Sequence, residues 1–126
     1  MYISIKNDTA IELGAPATVS GWSDRYAGTI TRIFNVGKSK YIVVTQDKAT
    51  PAEGHDYYGE QKYDYELDPD GRQWTFRITY INVDKGEQYP CQQAVTYNSE
   101  TKRWNQLDCT YGLTIGVRSK HEDPHF

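Results

Sequence analysis

The sequence predicts an all-β protein, a small antiparallel barrel or sandwich of six to nine short, twisted strands with little or no helix. Three observations carry that expectation. Only four Leu and one Met stand against nine Ile, seven Val and 12 Thr, and β-branched side chains suit a pleated, half-buried surface better than a helix. Eleven Tyr make up much of the 37% hydrophobic content; each buried aromatic removes roughly 150–250 Å² from water, so a core thin in aliphatic volume is still large in area. Ten Gly and five Pro punctuate the chain, as tight turns between short strands require. The 126 residues fit one domain spanning 1–126.

The elements follow in order. Short apolar segments at 2–5 and 17–20 predict the first strands. A hairpin from Tyr26 to Gln46 turns about Val36-Gly37, and pairing Phe34 with Ser39 sets Arg32 opposite Tyr41. The stretch Ala49 to Glu60, with Pro51 and two Gly, reads as a candidate functional loop. Next comes a Tyr-rich hairpin around Asp68-Pro69-Asp70-Gly71, where Pro presets φ and Gly accepts a positive one. Its predicted register puts Tyr65 opposite Trp74 and Tyr63 opposite Phe76, all on one face. A third hairpin centred on Glu100 sets Tyr97 opposite Arg103 and Cys91 opposite Cys109. Residues 113–117 supply a last strand.

Composition excludes several classes of function. No apolar run approaches the ~18 residues of a membrane helix, and the N-terminus lacks the basic start and apolar centre of a secretory signal. Fourteen basic against 17 acidic residues give a net charge of −3, unlike the basic excess of a generic nucleic-acid coat. With no export signal, two cysteines read as free thiols of a reducing compartment.

The motifs that could carry chemistry mostly reduce to structure. Gly37-Lys38-Ser39 resembles the end of a phosphate loop, but Arg32 holds the position of the required earlier Gly and a strand follows, so it reads as a turn. Glu66, Asp68, Asp70 and Gly71 imitate a calcium loop whose last ligand position falls on Arg77. His121-Glu122-Asp123-Pro124-His125 has metal-competent side chains, yet Pro124 breaks any helical pair. No catalytic constellation, metal site or cofactor is expected. The segment Gly21 to Tyr26 does stand out, because Trp22, Arg25 and Tyr26 are the residue types that dominate binding hot spots. Arg118 and Lys120 lie two apart on one side of a strand, beside His121. These six residues form the candidate ligand site: a guanidinium fork for phosphate or carboxylate, and rings for stacking. Arg25 or Arg32 would complete a pocket with Arg118.

The segments GWSDRYAGTITRI, VVTQDKAT, YDYELDPDGRQWTFR and LTIGVRSKHEDPHF resemble a group of small all-β phage and prophage proteins. The shared features are a Ser-Asp-Arg-x-Ala strand start, an Asp-Pro-x-Gly hairpin, and Gly-x-Arg and Asp-Pro-x-Phe toward the C-terminus, covering most of the chain from Val19 onward. The resemblance implies viral origin and a bacterial host cytoplasm, and it carries no catalytic residues. By analogy, it implies a non-catalytic protein countering host defence by sequestering a small anionic, nucleotide-like signal. The alternatives are a protein–protein inhibitor or adaptor of a host protein, and a minor virion or assembly component. Exposed edge strands add the expectation of a homo-oligomer.

Overall fold

A computed structural model describes residues 4–5, 10–21, 23–37, 39–82, 88–106, 111–122 and 124. The protein is all-β. Its strands are β1 (Ser4–Ile5), β2 (Pro16–Ser20), β3 (Arg25–Val36), β4 (Ser39–Gln46), β5 (Lys48–Pro51), β6 (Tyr63–Glu66), β7 (Gln73–Asn82), β8 (Gln88–Asn98), β9 (Arg103–Gln106) and β10 (Gly112–Ile115). Eight of them form one sheet in the order β1-β10-β2-β3-β4-β7-β8-β9, and β5 with β6 forms a separate two-stranded sheet. Every pairing is antiparallel except β1 with β10. Among the described residues no ladder joins the two ends of the large sheet.

One face of the large sheet carries the main core. Ala17 and Val19 of β2, Ile30 of β3, Ile42 and Val44 of β4, Trp74, Phe76 and Ile78 of β7, Ala94 of β8, and Leu113 and Ile115 of β10 pack together there. These positions alternate along each strand, as a period of two demands. The opposite face is covered as well, and in β4 five consecutive residues, Tyr41 to Thr45, are buried. A strand covered on both sides reads as a continuous rather than alternating apolar run.

Part of that second cover is an aromatic cluster. Phe34 stacks on Tyr41 at 5.2 Å between ring centroids, and Trp104 lies 5.6 Å from Phe34, 5.5 Å from Tyr41 and 5.1 Å from Tyr97. Three strands separate β9 from β3, and in a flat sheet four steps at ~4.8 Å would hold them about 19 Å apart. The sheet therefore curls until the β8–β9 hairpin returns over β3 and β4.

The expected hairpins are corrected in three places. Val36 pairs with Ser39 and Phe34 with Tyr41, so the turn has only two residues. Gly37 takes φ 60° there, the left-handed conformation that such a turn needs. The β8–β9 hairpin forms one residue out of the expected register, with Tyr97 opposite Trp104 and Asn98 opposite Arg103. Asn98 Oδ1 accepts from the backbone N–H groups of Glu100 and Thr101, which fixes the turn, and the shift brings the two rings onto one face. Cys109 lies outside the described residues, so its expected position opposite Cys91 does too.

The third correction is larger. The Asp68–Gly71 turn forms, with Gly71 N–H donating to Asp68 O at 3.0 Å, but β6 does not pair with β7. It pairs with β5, while β7 lies between β4 and β8. The reason is the partner that each strand can satisfy. Trp74, Phe76 and Ile78 do share a buried face, as expected, and need the apolar β4 beside them. Asp64 and Glu66 of β6 are exposed and would be costly in a central strand. The stretch from Ala49 is accordingly part strand, β5, and part turn.

Candidate functional site

The sequence-predicted residues divide between two faces. Arg25 and His121 do meet, through a backbone bridge in which Arg25 N–H donates to His121 O at 2.8 Å and His121 N–H to Arg25 O at 3.0 Å. Tyr26, the next residue along β3, turns to the opposite face and packs 5.5 Å from the Trp74 ring. Trp22 lies outside the described residues. Arg118 Nε donates to Asp47 Oδ2 at 2.7 Å, and its Nη2 to Thr29 Oγ1 at 3.0 Å. Thr29 in turn donates to Asp47 Oδ1 at 2.8 Å, and the Asp47 side chain is 1% exposed. Lys120 Nζ donates to Glu122 Oε1 at 2.8 Å and sits 5.6 Å above the Tyr63 ring. Each of these cations thus already has a carboxylate, but only Arg118 ties the C-terminal segment to the sheet, since Glu122 belongs to that segment itself.

A different arrangement is open to a ligand. Between Ile30 and Arg32 the β3–β4 ladder slips: Ile30 faces Val44, but Arg32 faces Val43 and Ile33 faces Ile42. Thr31 is the extra residue of a β-bulge. Without the bulge Arg32 would fall on the face of Ile30 and point into the main core, because alternate residues share a side. With it, Thr31 and Arg32 project consecutively on the same side and Ile33 returns to the core.

Together they line a groove of about 380 Å³ with Val43, Thr45, Leu67, Pro69 and Gln73, within the size range of small-ligand sites. Thr31 Oγ1 and Thr45 Oγ1 share a hydrogen bond at 2.6 Å. The Gln73 amide nitrogen is 3.5 Å from Thr45 Oγ1, so it is only weakly held. The Arg32 guanidinium carbon rests 4.5 Å from the Phe34 ring centroid, and a stacked guanidinium is held flat with its edge available to a bidentate acceptor. Among the described residues no carboxylate lines the groove and Arg32 has no acidic partner.

Arg32 was within reach of sequence reasoning as one possible partner of Arg118, but Thr31, Thr45 and Gln73 were not singled out. The signal was in Ile30-Thr31-Arg32-Ile33, where two apolar residues stand three apart in a strand whose period is two. Among the described residues, no group of three His, Cys, Asp or Glu side chains is placed to hold a metal, and no helix is long and apolar enough to cross a membrane. Compared with models of known families, with curated proteins and with solved structures, the chain matches none.

Proposed function

We propose that this protein is a non-catalytic binding protein whose groove beside Arg32 takes a small anionic, nucleotide-like ligand. The carrying observation is the bulge at Thr31, which presents the Arg32 guanidinium to a groove lined, among the described residues, by no carboxylate. Phosphate or carboxylate would meet the Arg32 fork, and a planar ring would lie against Leu67 and Pro69. Thr31, Thr45 and Gln73 would supply hydrogen bonds to its edge. The resemblance to phage proteins supplies the setting: sequestration of a host defence signal in the bacterial cytoplasm.

A thermal-shift panel of mononucleotides, cyclic mononucleotides and cyclic dinucleotides tests the ligand class. Saturation about 100-fold above Kd adds roughly 2.7 kcal/mol to stability, so a true ligand raises Tm by several degrees. A panel without any shift rejects the class.

One observation favours the alternative of a protein–protein inhibitor or adaptor. Tyr58 is 75% exposed and meets Tyr57 edge-on at 5.3 Å in the turn between β5 and β6. Retention of a host protein on the immobilised chain, unaffected by nucleotide and abolished by Tyr58→Ala, would support that reading instead.

A further inference from the structure

We propose that residues 117–122 form a latch, holding the β5–β6 arm against the large sheet and thereby fixing the Leu67–Pro69 wall of the groove. The inference starts from an incomplete element. Among the described residues β5 and β6 pair only with each other, and an isolated two-stranded hairpin is at best marginally stable in water. Something must dock it.

The C-terminal segment lies between the two sheets and bonds to both. Toward the large sheet, Thr18 Oγ1 donates to Val117 O at 2.7 Å and accepts from Ser119 N–H at 3.0 Å. Arg118 reaches Asp47 and Thr29, and His121 bridges Arg25. Toward the arm, Lys120 N–H donates to the Tyr65 hydroxyl at 2.8 Å. Gln61 clamps Glu122, its Nε2 donating to Glu122 O at 2.7 Å and its Oε1 accepting from Glu122 N–H at 3.0 Å.

The partners divide along the segment: Val117, Arg118 and Ser119 bond on the large-sheet side, His121 bridges β3, and Lys120 and Glu122 bond to the arm. Arg118 fastens the sheet side with its side chain, whereas Lys120 and Glu122 fasten the arm side with their backbone N–H groups. The arm runs from β6 straight into Leu67 and Pro69, so its position sets one wall of the groove. These contacts are polar throughout, and polar contacts exchange readily with water. The arm is therefore the part of the fold that can open without unfolding the core.

Amide hydrogen exchange on the free protein tests the latch without any ligand, and so independently of the proposed function. The variants are Tyr65→Phe, which deletes one hydroxyl, and Tyr65→Phe combined with Gln61→Ala. Their fold is checked by the protection of Ile42 and Val44 in β4. We expect exchange at Lys120 and Glu122, and at the arm amides Ala52 and Asp56, to quicken at least tenfold in the double variant while β4 stays protected. Arm amides unchanged while the segment's amides quicken would overturn the latch, as would no change at any of the four. Loss of β4 protection would overturn it too, by making the contact part of the global fold.

Discussion

Replacing Arg118 by Gln removes the guanidinium from Asp47 and leaves a shorter, neutral side chain. Asp47 is then a carboxylate with a 1% exposed side chain that retains the Thr29 hydroxyl but loses its charged donor. Breaking a fully buried ion pair costs about 3–5 kcal/mol. Here the Arg118 side chain is 32% exposed, so water can partly replace it, and we expect a loss of about 2–4 kcal/mol. Urea unfolding reads this directly. With a slope of about 2 kcal/mol/M, the middle of the usual urea range, the midpoint should fall by roughly 1–2 M. The control is the double variant with Asp47→Asn, which removes the stranded charge. It should recover part of the loss, with a coupling energy of about 1–3 kcal/mol. If Arg118→Gln lies within ~0.5 kcal/mol of the wild type, the range of ordinary surface substitutions, the pair does not anchor the C-terminal segment.

Three further outcomes are expected. Deleting Thr31 leaves Ile30, Arg32 and Ile33 opposite the same β4 residues, so the protein should fold with a loss under about 1.5 kcal/mol, the scale of the one hydroxyl bond removed. Urea unfolding checks this, and a collapse of stability would show that the bulge serves the fold rather than the groove. At Gly28 an added Cβ would stand 2.6 Å from Val44 Cγ1 and 2.8 Å from Thr45 O, so Gly28→Ala should cost about 1–3 kcal/mol through overpacking, again read by urea midpoint. Tyr63 titrates above its ordinary value, chiefly because burial disfavours the phenolate and despite the opposing pull of the Lys120 charge. Its contribution to stability is present below the ordinary Tyr pKa of about 10 and is lost as pH rises through the higher folded value. Unfolding midpoints measured from pH 8 upward should thus fall less steeply in Tyr63→Phe than in the wild type.

The strands were legible because each carries its own period. Ile42, Val44, Trp74, Phe76 and Ile78 alternate in sequence and share the buried face in the structure. Pairing partners were not legible to the same degree. The Asp-Pro-Asp-Gly turn marks a reversal but not what the returning strand will pair with, and β7 is claimed by β4 because both need apolar neighbours. The site divides in a similar way. Arg25 was expected to meet Arg118, Lys120 and His121; the backbone bridge joins it to His121, while Arg118 turns to Asp47 and Lys120 to Glu122. That Asp47 would meet Arg118 could not be read, because the two are 71 residues apart. The bulge at Thr31 is a local feature and was readable from the spacing of Ile30 and Ile33. Its consequence, a groove closed by Leu67 and Pro69 of the turn between β6 and β7, depends on a tertiary contact.

Binding of a small anion beside Arg32 is tested by residue-resolved NMR. The labelled protein is titrated with the nucleotide panel, and the Arg32 Nε–H, the Thr31 and Thr45 amides and the Gln73 side-chain amide are followed. One class of nucleotide should move these signals saturably, and Arg32→Gln should weaken its binding at least tenfold while leaving the rest of the spectrum in place. Shifts confined to residues around Arg25 and His121, or the same affinity in Arg32→Gln, would contradict it.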